Sequence, residues 1–84
     1  MASVRWEREA IEQLLQLTRT DRQLAGRIND AVYEYANDRR GNVRKLQGYT
    51  NRWRLRVRGW RVIFELGNDG ILVLEVSDRR DAYR

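Results

Sequence analysis

The residues best placed to do chemistry are the arginines of Arg52 to Leu66, RWRLRVRGWRVIFEL, where apolar and cationic residues alternate on either side of a glycine. If Arg58 and Gly59 form the turn of a β-hairpin, Val57 pairs with Trp60, Arg56 with Arg61, Leu55 with Val62, Arg54 with Ile63 and Trp53 with Phe64. Directly opposed residues point to the same side of a sheet. Trp53, Leu55, Val57, Trp60, Val62 and Phe64 then form one apolar face, and Arg54, Arg56 and Arg61 gather on the other. Like charges opposed across strands cost about 0.2 to 1 kcal/mol per pair, so folding alone gives no reason to set Arg56 against Arg61. A bound anion gives one, because a planar guanidinium offers two parallel hydrogen bonds to phosphate oxygens. The bland alternative is a solvated strand face with the arginine stems lying along the sheet.

A second cationic group closes the chain. VSDRRDAYR brings Arg79, Arg80, Tyr83 and Arg84 after the last apolar residue, Val76, with no spacer to carry them away from Arg54, Arg56 and Arg61. The chain has neither histidine nor cysteine. Disulfides and thiolate metal sites are therefore excluded, and proton transfer falls to carboxylates, tyrosine, lysine or arginine. Asp78 and Tyr83 are the acid/base candidates beside the arginines. The formal net charge of +5 favours a polyanionic partner, with nucleic acid the leading class. Met1 to Arg8 holds no secretory apolar run and no segment approaches the roughly 20 apolar residues of a membrane span, so a cytoplasmic protein is expected.

With 84 residues the chain is read as one domain over 1–84. Val4 and Trp6 mark a short strand over Ser3 to Trp6. Ala10, Ile11, Leu14, Leu15 and Leu17 repeat at helical spacing over Glu7 to Leu17. Thr18 to Thr20 reads as a break, and Thr20 with Gln23 as a capping box opening a second helix whose stripe is Leu24, Ile28, Ala31, Val32 and Tyr35. Gly41 is the expected stop, and the short connection makes the helices an antiparallel pair. Asn42 to Asn51 reads as a basic link. A three-residue loop of Asn68, Asp69 and a left-handed Gly70 sets Leu66 against Leu72, Phe64 against Leu74 and Val62 against Val76. That register leaves Ile63, Ile71 and Val73 on the cationic side, as an exposed docking strip or under cover of the C-terminal residues.

The order of a short strand, a helical hairpin, the basic KLQG of Lys45 to Gly48, the strand pair WRLRVRGWRVIFEL and the final VSDRRDAYR resembles the RelE/ParE superfamily of toxins from type II toxin-antitoxin systems. The resemblance covers essentially the whole chain. It implies an α+β fold of the RelE-like microbial RNase type, with the helical hairpin on one face of a mainly antiparallel, curved sheet. It further implies a ribosome-dependent endoribonuclease acting on messenger RNA, in which a ribose 2′-hydroxyl attacks the adjacent phosphate. Carried over by position, Arg54 and Arg56 stand where RelE has two strand lysines, Arg61 and Arg79 where it has arginines, and Tyr83 where it has its C-terminal tyrosine. Lys45, Arg52, Arg58, Arg80 and Arg84 would hold the RNA around that site.

Two departures bear on the chemistry. A guanidinium stays protonated, so Arg54 and Arg56 suit charge stabilisation better than proton abstraction. Asp78 replaces a histidine found in many relatives; it either pairs with Arg79 or Arg80 or supplies the base. No cofactor or metal is implied. The partners implied are a cognate antitoxin, the ribosome and messenger RNA, with operator DNA a possible target of the toxin-antitoxin complex. The alternatives are a ParE-like poison of DNA gyrase and a non-catalytic module that binds RNA or DNA.

Overall fold

A computed structural model describes residues 2–78. The elements in chain order are β1 (Ser3–Trp6), α1 (Arg8–Thr20), α2 (Arg22–Asp38), β2 (Asn42–Lys45), β3 (Trp53–Val57), β4 (Trp60–Leu66) and β5 (Gly70–Asp78). The strands form one sheet in the order β1-β5-β4-β3-β2, with β1 parallel to β5 and every other neighbour antiparallel. Both helices lie on one face of that sheet, as the fold class read from the sequence requires. Ala10, Leu17, Ile28, Val32 and Tyr35 from the helices meet Leu55, Val62, Phe64, Val73 and Val76 from the strands in one core. Tyr35 and Phe64 join the layers, their ring centroids 5.2 Å apart at an interplanar angle of 55°. No helix among the described residues is long and apolar enough to cross a membrane.

The helix boundaries differ from the sequence reading for local reasons. Thr18 and Thr20 do not break α1, because their hydroxyls donate back to the Leu14 and Leu17 carbonyls at 2.8 and 3.2 Å within the helix. Asp21, not Thr20, caps α2, its carboxylate accepting from the Leu24 amide at 3.1 Å. Arg39, not Gly41, takes the left-handed C-cap position with φ 59°. Its guanidinium lies over the Tyr35 ring, 5.3 Å from the centroid, a contact that helps offset the left-handed cost.

The segment read as a link contains a strand. Asn42, Val43, Arg44 and Lys45 pair with Arg56, Leu55, Arg54 and Trp53. A four-residue strand with one apolar residue has too little pattern to announce itself, and the neighbouring edge of β3 supplies the missing information. Beyond that pairing, the Asn51 side chain both donates to the Leu66 carbonyl at 2.8 Å and accepts from the Leu66 amide at 3.2 Å. It also accepts from the Trp53 indole at 3.1 Å. One amide thus extends the β3–β4 ladder and fixes the indole.

The β3–β4 register is the one expected, from Val57 with Trp60 to Trp53 with Phe64. The β4–β5 register is not. Val62 opposes Val76 as expected, but Phe64 opposes Val73 rather than Leu74, and Leu66 opposes Ile71 rather than Leu72. The ladder shifts between Ile63 and Phe64, leaving Leu74 as the extra residue of a β-bulge. The bulge lets Val73 and Val76, three apart, share the helix-covered face. Ile71 and Val73 are therefore core residues, 3% and 0% exposed, and the expected docking strip does not exist. Ile63 stays on the outer face but is only 7% exposed.

Gly70 does not adopt the left-handed conformation expected of it, which among the described glycines falls to Gly41 and Gly48. Its lack of a side chain serves close approach instead, since a Cβ there would overlap the Ser3 backbone where β1 joins β5. Gly70→Ala is expected to lower stability by more than about 2 kcal/mol in urea unfolding. Gly59→Ala, where a Cβ meets nothing within 4 Å, should stay within about 0.5 kcal/mol of the parent.

Candidate nucleic-acid interface

Strand alternation and the observed registers lay out the outer face of the sheet as two rows. One runs Asn42, Arg56, Arg61, Ser77 across β2 to β5, and the other Arg44, Arg54, Ile63, Glu75. Adjacent strands are about 4.8 Å apart, so Arg44, Arg54, Arg56 and Arg61 occupy a patch about 10 Å wide across three strands. Arg56 opposes Arg61 and Arg44 opposes Arg54, which makes the patch a concentration of like charge that the core behind it does not need. A phosphate chain placed on it would find several planar donors within one or two nucleotide lengths.

Arg61 is held from the β5 side. Its terminal guanidinium nitrogen lies 4.0 Å from a Glu75 carboxylate oxygen, and their side chains are 31% and 38% exposed. The Ser77 hydroxyl donates to that same oxygen at 3.0 Å. The Arg61 Nε is buried and makes no hydrogen bond. The stem is thus enclosed while the guanidinium stays within reach of solvent, held from the β5 side by an acid that is itself anchored.

Of the residues expected to form the site, Arg54, Arg56 and Arg61 come together on one face. Arg79 and Tyr83 lie outside the described residues, as do Arg80 and Arg84. Arg58 sits exposed at the β3–β4 turn, where it takes the left-handed φ of 56° that glycine usually supplies. Arg52 precedes β3 and stacks its guanidinium over the Tyr49 ring at 4.6 Å from the centroid. It also borders a cleft of about 340 Å³ whose other walls include Glu7, Ile63, Leu74 and Glu75. Lys45 is on the opposite side of the sheet from the arginine rows. It pairs with Trp53 and carries its ammonium 5.7 Å from that ring.

Asp78 is also across the sheet from the arginines. It opposes Trp60 and borders, with Glu9, Glu12 and Gln13, a cleft of about 400 Å³ beside α1. Two residues of the face escaped the sequence reading. Arg44 lies in the segment expected to be a basic link, although Val43 and Arg44 repeat the apolar-cationic alternation of β3. Glu75 was already opposite Ile63 in the expected register, and hence on the arginine side. No group of three or more metal-ligating side chains occurs among the described residues.

Residues 4–83 match the family described as the ParE toxin of type II toxin-antitoxin system, parDE. The chain belongs to this family, within the RelE/ParE superfamily. Solved structures of that superfamily share its fold. A chain of the RelB-RelE antitoxin-toxin complex from Methanococcus jannaschii is 23% identical over 94% of both chains, with a TM-score of 0.75. The YoeB/ParE toxin from Agrobacterium tumefaciens is 18% identical over 90% of this chain and 96% of its own, with a TM-score of 0.77. A chain of the E. coli DinJ-YafQ complex aligns over 100% of both chains at 8% identity, with a TM-score of 0.76. No curated protein matches the chain significantly. The toxin fold therefore persists where little sequence does, and its sheet face is where this member sets its arginines.

The opposed arginines provide a direct test. Arg56→Thr should raise folding stability by about 0.2 to 1 kcal/mol in urea unfolding, because it removes a cross-strand like-charge pair. The same change should weaken binding of a single-stranded RNA and reduce the slope of log affinity against log salt by about 0.7.

Proposed function

We propose that this toxin is a ribosome-dependent endoribonuclease that cuts messenger RNA by attack of a ribose 2′-hydroxyl on the adjacent phosphate. The observation that carries the reading is the gathering of Arg44, Arg54, Arg56 and Arg61 on one face of the sheet, against the cost of their mutual repulsion. Arg61 grips the scissile phosphate with paired N–H groups. Arg54 and Arg56 stabilise the charge that builds on the phosphorane, as preorganised donors do in a low-dielectric site. By their likeness to the superfamily's pattern, Arg79 and Tyr83 would complete the set, Tyr83 assisting the leaving 5′-oxygen. Arg44, Arg52, Arg58, Arg80 and Arg84 hold the flanking RNA, and Lys45 does so only from beyond the sheet edge. Positioning of the substrate falls to the ribosome.

A cognate antitoxin is the natural partner of a toxin of this kind. Complexes of the matched toxins with RelB and DinJ support that reading. With the Ile71 and Val73 strip buried, the apolar contact passes to Ile11 and Leu15, 45% and 54% exposed one turn apart on α1. Acidic antitoxin residues would cover the arginine rows, and the toxin-antitoxin pair could carry operator DNA binding. The cytoplasm is the compartment in which this chemistry has its substrate.

A second reading, poisoning of DNA gyrase, is favoured by the match to the ParE toxin description. Inducing the chain in bacterial cells and mapping new 5′ ends in one messenger RNA separates the two. Cuts within codons that vanish when the start codon is removed are the expected result. Arg61→Ala should reduce cutting by about 10² to 10³-fold while leaving a folded protein. Growth arrest with DNA damage and no cuts would move the chain to the gyrase class.

A further inference from the structure

We propose that Glu75 is the general base of the reaction, an inference that rests on the nuclease reading above. The arginines at 54, 56 and 61 cannot accept a proton under physiological conditions. Asp78 lies on the helix side of the sheet, across from Trp60. Glu65 is on the outer face, but it pairs with Leu72 beyond Ile63, four residues along β4 from Arg61. Among the described residues, Glu75 is a carboxylate that meets the arginine patch, 4.0 Å from the Arg61 guanidinium and opposite Ile63 in the Arg54 row.

Stability gives little reason for an acid at this position. An ion pair this long and this exposed contributes almost nothing to folding. A carboxylate on a face built for phosphate also weakens the attraction for RNA. Its placement makes sense where a proton must be removed. Its place is set by the pairing of β5 with β4, in which Val76 opposes Val62 in the core and Glu75 opposes Ile63 on the outer face.

The Ser77 hydroxyl donates to one Glu75 oxygen at 3.0 Å and fixes the carboxylate. An ionised carboxylate offers about four lone-pair sites, so this bond leaves acceptor capacity for a substrate hydroxyl. With the scissile phosphate on Arg61, the attacking 2′-oxygen sits about 3 to 3.5 Å from phosphorus. Glu75, 4.0 Å from the guanidinium that would hold this phosphate, is then the carboxylate placed to accept from the 2′-hydroxyl. The proton of the 2′-hydroxyl passes to Glu75 as the O2′–P bond forms. The P–O5′ bond then breaks, and the 5′-oxygen takes a proton from solvent or a neighbouring acid. The products are a 2′,3′-cyclic phosphate and a 5′-hydroxyl, and Glu75 returns its proton to water.

The test exploits opposite signs. If Glu75 only tempers the charge of Arg61, Glu75→Gln should bind RNA more tightly and cut it at least as fast. If Glu75 is the base, Glu75→Gln should lose about 10² to 10⁴-fold in single-turnover cleavage of messenger RNA on ribosomes. In that case binding of the uncleavable 2′-deoxy analogue should be unchanged or tighter, and Glu75→Asp should recover part of the rate. A Glu75→Gln protein that cuts at the parental rate or faster overturns the assignment and leaves the nuclease reading intact. So does a rate loss matched by an equal loss of analogue binding. A parent protein that cuts no RNA under translation, and is indistinguishable from Arg61→Ala, overturns the nuclease reading and the base with it.

Discussion

The two-residue period of β4, with a strand paired on each side, is the constraint on which the rest depends. Val62 and Phe64 are buried under the helices, and that burial compels Arg61 and Ile63 to the other face. Burying Phe64 and Val62 removes apolar surface worth about 1.5 to 3 kcal/mol per side chain, far more than the repulsion between Arg56 and Arg61. The core therefore holds the arginines together although they gain nothing from one another. Slippage by one residue would exchange the faces and lose both core and site.

The bulge at Leu74 is the second device, and it works where strict alternation would fail. β5 must serve β1 on one side and β4 on the other, and its apolar residues Ile71, Val73 and Val76 do not keep one parity. Inserting Leu74 as the extra residue restores it. The resulting edge is finished by side chains: Gln13 of α1 accepts from the Val76 amide at 2.6 Å, past the end of the short β1. Beyond the bulge, regular pairing carries Glu75 and Ser77 to the arginine face.

The arrangement shows how a small chain without histidine can gather cationic groups on one surface. Its helices occupy one face of the sheet, and the strands themselves present charge on the other. Arginine suits this placement because its long stem packs along the strand while its planar head stays charged. The same property leaves any proton acceptance on this face to other groups. The relatives named above share this fold at 8 to 23% identity, so the scaffold is common while most of the sequence differs.

Much of this was legible in the linear chain. The alternation of RWRLRVRGWRVIFEL determined the hairpin, its register and the segregation of Arg54, Arg56 and Arg61, because strand period and a short turn leave few alternatives. The helical stripes and the order of elements likewise determined the class of fold and its resemblance to the RelE/ParE toxins. Tertiary structure decided what local pattern could not. β2 and its Arg44 exist because β3 offers an edge, and Ile71 and Val73 enter the core because helices and β1 close over them. Asp78 and Lys45 are turned to the helix side by register, and Glu75 meets Arg61 through pairing between separate strands. Each of these depends on which segments become neighbours, a choice made by the burial of the whole core rather than by any stretch of the chain.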